Sequence, residues 1–571
     1  MKADYLPRPA LLKASAVIFS ITLLAACSPP ATQTETATET VAAANPGSLI
    51  EAELHQHIAV LASDEFGGRA PATPGEKLTT DYLQQQFELL GIQPGNGDSY
   101  LQSVPVTEIT VTNTPTLSLR GGDYIADLSY ADEMVVATYQ ETDSVELVNS
   151  EMVFVGYGIV APERGWDDYA GVDVRGKTVV ILVNDPGYAT QNPELFNGNA
   201  MTWYGRWPYK YAEAARQGAA GALIIHETGA AAYGWDVVRN SWTGSQIVLS
   251  NEQSVANNSA VIGWLTQDSA RHLFNGAGLN FDELVSAAAQ PDFRAVPLKD
   301  IRASTSLRNN VRNSSSNNVI AMIAGTERPD ETIIYTAHWD HLGTNPDLPG
   351  DNIYNGAVDN AAGTAALLSL AREFSQHPEP PKRSIVFLAV TAEESGLLGA
   401  QWYTENPVFP LSKTVANINI DAPTVSGPMN DIVVIGYGNS ELEDYLREEL
   451  VNQPGRYVVA EPHPERGSYY RSDHLNFARQ GVPALYAKSG QDSAEHGPEW
   501  GAAQAQDYVD NRYHSPADEY DPAWDLSGTV LDIELYFAIG HRLSQETLWP
   551  NWYEGNEFKA IRDASAAERS E

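Results

Sequence analysis

Five apolar runs in the second half of the chain constrain its fold more than any other feature. "VIAMIAG", "TIIYTAH", "SIVFLAV", "VANINID" and "DIVVIGYG" fall between positions 319 and 438, and each is close to continuously apolar rather than alternating. Strands of that texture are buried on both faces. The intervening "AAGTAALLSLAREF" and "LEDYLREELV" carry helical spacing instead. Strands alternating with helices predict an α/β domain whose sheet is flanked by helices on both faces. Ligands of such sheets gather beyond the carboxyl ends of the strands, so the residues that follow each run matter most.

Those residues are acids and histidines. "TIIYTAH" runs into His338-Trp339-Asp340-His341, Asp359 opens a helix, Glu393-Glu394 follow "SIVFLAVTA", Asp421 ends "NINID", and His514 sits in "NRYHSPADEYD". Each has a plain structural reading by itself. Asp359 could cap a helix, Glu393 and Glu394 could be a solvated pair, and Asp421 could be a turn residue. His338 could be a core histidine satisfied by Asp340, and His514 a surface residue. Gathered at one end of one sheet, they form the mixed nitrogen and oxygen donor set that suits zinc. Strand alternation would put His338 and Asp340 on one face and Trp339 and His341 on the other. The expectation is therefore His338 as ligand, Asp340 behind it as the acid that orients its ring, and His341 left to structure. Downstream, Ser472 is expected to cap a short helix ended by Gly481, with His474 structural and His463 and His496 in loops near a substrate entrance.

The chain has 571 residues, of which 43% are hydrophobic, so it can bury a large core and is long enough for several domain equivalents. Thirty-five Lys and Arg against 74 Asp and Glu give a formal charge of −39, which argues against nucleic-acid binding. The single cysteine, Cys27, excludes an internal disulfide. It follows a basic start and an apolar run over 14–26 that is shorter than the ~18–20 residues of a membrane span. The sequence "LAAC" resembles the bacterial lipobox. This implies a lipoprotein signal peptide over 1–26, lipidation of Cys27, and export to a bacterial cell envelope with the membrane reached only through that anchor. Residues 27–48, rich in Thr, Pro, Glu and Ala, are expected to be a flexible tether. Helical spacing follows in "LIEAELHQHIAVLASDEF" and "PGEKLTTDYLQQQFELL", with Gly91 as the stop and His55 and His57 expected at the surface.

Six segments together carry a resemblance: "AHWDHLG", "GAVDNAAG", "TAEESGLLG", "NIDAP", "RSDHLNFARQGVPAL" and "RYHSPADE". In order and spacing they resemble the di-zinc aminopeptidase family, which includes bacterial leucyl aminopeptidases and, more distantly, glutamate carboxypeptidase II and the transferrin receptor. In between, "KYAEAARQGAAGALII" resembles the protease-associated domain, a small, mainly-β module inserted in several peptidases. The resemblance implies a zinc-peptidase mixed sheet over 49–145 and 293–545, an insert over 146–292, and a C-terminal tail over 546–571. It assigns one zinc to His338 and Asp421, the other to Glu394 and His514, and a bridging role to Asp359. Cobalt or manganese can occupy similar donor sets. Glu393 would be the general base, Tyr513 would help stabilise the oxyanion, and Asp340 would be the acid behind the ligand imidazole. The implied activity is removal of N-terminal residues from peptides with a free N-terminus. Alternatives are a carboxypeptidase, for which Arg466 and Arg471 form no convincing cluster, a glutaminyl cyclase, or a non-enzymatic binding protein. Asp421 is followed by Ala422-Pro423 where the family commonly has Met, which leaves the side-chain preference of that pocket wall open. No G-x-S-x-G elbow supports serine-hydrolase chemistry.

Overall fold

The structure is a computed structural model and describes residues 46–570. The export segment, Cys27 and nearly all of the tether lie outside the described residues. Within them, no helix is long and apolar enough to cross a membrane.

The main sheet contains β1 (Leu101–Val111), β2 (Val296–Ile323), β3 (Arg328–His338), β4 (Arg383–Val390), β5 (Thr414–Asn419), β6 (Asp431–Val434), β7 (Tyr457–Ala460) and β8 (Ala484–Ser489). Their spatial order is β1-β2-β4-β3-β5-β8-β6-β7. The four central strands, β4, β3, β5 and β8, are parallel. Every residue of β4 and β5 is buried, as continuous apolar runs require. Helices α1 (Pro46–Leu61), α2 (Pro74–Leu89), α3 (Ala362–Gln376) and α4 (Ser527–Gln545) pack one face, through a core that includes Leu54, Phe87, Leu367, Phe387 and Ile539. Shorter helices cover the other face, where Tyr403 and Phe477 meet Ile334 and Leu388. The expected fold, a mixed sheet with helices on both sides, is the one observed.

The insert departs from its expected limits. Its sheet already includes strands at Leu117–Gly121, Tyr124–Leu128 and Met134–Ala137, all before residue 146, and it takes in β2 as far as Arg308. The polar stretch "STSLRNNVRNSSSNN", residues 304–318, is strand throughout. It is the middle of the 28-residue β2, which pairs with the insert through residues 296–308 and with β1 through 309–319. Asn and Ser are poor strand formers, but cross-strand partners decide the matter here. The Ser316 hydroxyl donates to Glu76, and the Asn318 amide donates to Gln102 and to the carbonyl of Gly399. The segment 546–570 is likewise packed onto the body: Trp552 is buried, and the buried Arg562 guanidinium donates to the carbonyls of Thr414 and Val415. His57, expected at the surface, is buried and bonds the Tyr82 hydroxyl at 2.6 Å.

Candidate metal centre and substrate cavity

β3 ends at His338, β4 ends three residues before Glu393, and β5 ends two residues before Asp421. Because these strands are parallel neighbours, their carboxyl ends deliver all three to one place. Asp359 arrives from the turn before α3, and His514 from a loop after the helix Pro498–Asn511. Three non-glycine residues of the cradle have left-handed backbones: Ala392 (φ 53°), Ala422 (φ 46°) and His514 (φ 52°). Such residues carry strain and recur at functional sites.

Asp359 is the hub. Its Oδ1 lies 3.3 Å from His338 Nε2 and its Oδ2 lies 3.4 Å from His514 Nε2. Asp421 Oδ1 is 3.5 Å from His338 Nε2, and Glu394 Oε2 is 3.0 Å from His514 Nε2. Glu393 faces the His338 side, where it, His338 and Asp421 bring donor atoms within 4.8 Å of one another. His338, Asp359 and Glu394 form a second such group. His338 Nε2 is buried and has no hydrogen-bond partner, as an atom reserved for a cation would be. Buried imidazole nitrogens facing several carboxylates fit divalent zinc in donor chemistry.

The two adjacent glutamates are pushed in opposite directions. Burial, joined by Glu394, Asp421 and Asp473, drives the Glu393 carboxyl well above its ordinary range, with only His338 opposing. Burial also works against the charge on Glu394, but His514 and His341 beside it hold its carboxyl down at about 2. Neighbouring carboxylates whose surroundings push them in opposite directions can take different roles.

β3 stops at His338, so strand alternation does not extend to Asp340 and His341. Asp340 Oδ1 is 3.9 Å from His338 Nδ1, and the nearer atom is the Asp340 backbone oxygen at 3.2 Å. The Asp340 carboxylate instead accepts the backbone N–H groups of Glu393 at 3.1 Å and Glu394 at 3.4 Å. The carboxylate is thus committed to the glutamate turn, while the closer contact with the His338 ring comes from the Asp340 backbone oxygen. His341 is not set aside for structure either, since its Nδ1 lies 2.6 Å from Glu394 Oε1 and its ring packs edge-on against His514.

Tyr513 stacks on the His514 ring at 4.0 Å between centroids, and burial keeps its phenol protonated, well above the usual range. His474 is buried between Tyr469 and Tyr486 and bonds nothing with either nitrogen. The Ser472 hydroxyl is taken by the Asn419 amide and makes no helix cap. His463 lines the cavity and bonds Glu465, whereas His496 packs on Trp500 away from it.

Sequence reasoning passed over several residues that hold the site. Asp518, inside the quoted "RYHSPADE", accepts the backbone N–H of Val358 and Asp359. The Asn360 amide oxygen accepts the N–H of Gly363 and of Ala422, so the helix-capping role falls to Asn360 and ties α3 to the Asp421 turn. The Lys488 ammonium donates to the carbonyl of Ala422 at 3.1 Å. Adjacency to a quoted motif was the available signal for the first two; Lys488 carried none.

Two cavities, of about 440 and 340 Å³, open from this centre and share Glu393, Glu394, Tyr513, His514, Arg471 and Tyr233. The larger reaches the insert at Trp203, Arg206 and Trp242, and the smaller has an apolar wall of Pro423, Val425, Met429 and Ile435.

Fold and donor set together define an α/β domain with a candidate metal-binding centre at the carboxyl ends of its strands. Residues 318–538 match the model of Peptidase family M28. A probable zinc metalloprotease of Pyrenophora teres f. teres (strain 0-1) is 41% identical over 104 residues, which is 18% of this chain and 22% of that protein. Aminopeptidase NAALADL1 of Mus musculus is 32% identical over 167 residues, 28% of this chain and 20% of its own length. The chain thus matches 20–22% of the length of these two curated relatives. Among solved structures, an aminopeptidase from Aneurinibacillus sp. strain AM-1 superposes with a TM-score of 0.50 at 19% identity, covering 86% of this chain and 93% of that one. That likeness establishes the fold.

Proposed function

We propose that the chain is a two-zinc aminopeptidase that hydrolyses N-terminal residues from peptides. The observation that carries this reading is the division of the Asp359 carboxylate, one oxygen toward His338 and the other toward His514, with Asp421 and Glu394 as the outer acids. His338 and Asp421 would hold one ion, Glu394 and His514 the other, and Asp359 both. When bound, the ions supply Lewis acidity for the scissile carbonyl and for an attacking water. Glu393, on the His338 side of the centre, takes the proton of the water and delivers it to the leaving amine. The neutral Tyr513 phenol donates to the carbonyl oxygen as negative charge develops there. The cradle's excess of carboxylates receives the substrate's free ammonium group. The test is metal analysis of the purified chain together with a screen of aminoacyl substrates and their N-acetylated counterparts. Cleavage of the acetylated series as fast as the free one would remove the aminopeptidase assignment.

One observation favours a second reading, in which a free carboxylate of a short peptide is also recognised. The Arg206 guanidinium, from the insert, makes no hydrogen bond to a described residue and its Nε is buried without a partner. Burial and then the like charge of Arg471 lower its pKa to about 9. Among the described residues no carboxylate lies within 4.0 Å of Arg206, Arg466 or Arg471, although the chain carries a charge of −39. C-terminal amidation of a dipeptide separates the readings, because only the second loses turnover.

Export and attachment through lipidated Cys27 belong to the same proposal and rest on the "LAAC" stretch. An intact mass that retains residues 1–26 would remove them.

A further inference from the structure

Arg69 lies in the segment "DEFGGRAP", between α1 and α2 and far in sequence from the six segments that carry the resemblance, and none of the roles above is assigned to it. It is 1% exposed. Its guanidinium makes four hydrogen bonds, all to backbone carbonyls. Nε donates to Trp339 at 2.8 Å, Nη1 to Leu61 at 2.7 Å and to Asn355 at 2.6 Å, and Nη2 to Gly356 at 2.8 Å. Trp339 is the residue between His338 and Asp340, while Asn355 and Gly356 begin the turn that carries Asp359. One planar group therefore bridges the two segments that bring the ligand imidazole and the shared carboxylate together.

The backbone around it is built for that reach. Gly67, Gly68 and Arg69 are successive left-handed residues, with φ of 54°, 66° and 50°. A side chain at Gly68 would collide with the carbonyl oxygens of Gly343 and Tyr354, at 2.4 and 2.5 Å from its Cβ. The segment is thus wedged between the loops on either side of the cradle. A left-handed arginine costs roughly 1–2 kcal/mol, a cost that four charge-assisted bonds offset. Burial lowers the guanidinium to about 10, against the pull of Asp340, Asp518, Asp359 and Glu394, so it is still a cation at neutral pH. A fixed positive charge stands behind a cluster of carboxylates that repel one another.

We infer that Arg69 is a positioning residue of the metal centre, setting the separation between the His338 strand end and the Asp359 turn and thereby the affinity for metal. This rests on the metal reading of the site but not on the peptidase reaction. Lysine cannot replace it, since a single ammonium cannot reach four carbonyls in two directions.

The test is calorimetric titration of the metal-free full-length chain with zinc, for the unaltered protein, Arg69→Lys and Arg69→Met. Arg69→Lys keeps the charge and some of the bonds, so it remains interpretable if Arg69→Met does not fold. Folded Arg69→Lys is expected to bind zinc ~10–100-fold more weakly, the effect typical of partners that orient ligands. Saturating zinc should load folded Arg69→Lys to the stoichiometry of the unaltered chain, which a general loss of structure would not allow. Unchanged zinc affinity in folded Arg69→Lys overturns the inference. If the unaltered chain itself takes up no zinc, the metal reading fails instead, and the two failures are distinguishable.

Discussion

Oδ2 of Asp359 lies 3.4 Å from Nε2 of His514, on the opposite side of the carboxylate from His338. Among the described residues no other carboxylate lies within 4.0 Å of both imidazoles, so this acid joins the two halves of the centre. Asp359→Asn keeps the shape but replaces one oxygen with an amide nitrogen that cannot ligate a cation. The expected result is a loss of metal affinity larger than the ~10–100-fold attributed to outer partners, with one ion retained at most. Metal content after dialysis against a weak chelator reads this directly; two ions retained would dissolve the bridging assignment.

Glu393 and Glu394 are adjacent in sequence and opposite in environment. Glu393→Gln should bind metal as the unaltered chain does and lose ~10²–10⁴ in kcat, the usual contribution of a positioned base. Glu394→Gln should instead lose metal first, because its oxygens are committed to His514 and His341. Parallel metal analysis and kinetics of the pair decide the roles, and an interchange of the two phenotypes would reverse them.

How much of this could be read from the sequence follows from how local each feature is. The parallel strands and the acids at their ends were legible because apolar runs and their terminal residues are neighbours in the chain. The roles of Asp340 and His341 were not, since they depend on β3 ending at His338, which side-chain periodicity does not reveal. Nor was the polar β2, whose Asn and Ser are held by partners on β1, on α2 and at Gly399 in the helix Leu398–Glu405. Arg69 bonds a carbonyl 270 positions away, a relation that no window of sequence contains.

His341→Ala provides a check on that correction. Its ring bonds Glu394 and presents no nitrogen to Asp359 or Asp421, whereas His338 presents Nε2 to both. His338→Ala should abolish binding of one ion outright. His341→Ala should leave both sites in place, with metal affinity reduced by ~10–100-fold through a less well-held Glu394. Cobalt substitution followed by visible absorption distinguishes a lost ion from a loosened one. Equal loss in both variants would mean that His341 is itself a ligand.

Acid stability should carry the signature of His57, which is buried beside Tyr82. Burial, with Arg372 as a lesser cause, lowers its pKa from 6.5 to about 4. Its Nδ1 is held by the Tyr82 hydroxyl, a bond that the neutral ring can accept. Between those two values the unfolded chain binds a proton that the folded chain refuses, so stability falls as pH falls through that window. The slope attributable to this one group approaches ~1.4 kcal/mol per pH unit. His57→Gln keeps an acceptor for Tyr82 and does not titrate. Its stability should therefore fall less steeply than that of the unaltered chain between pH 6.5 and 4, with the two curves closest at the acid end. Denaturant melts at several pH values measure the difference, and parallel curves for the two proteins would show that His57 is not refusing the proton.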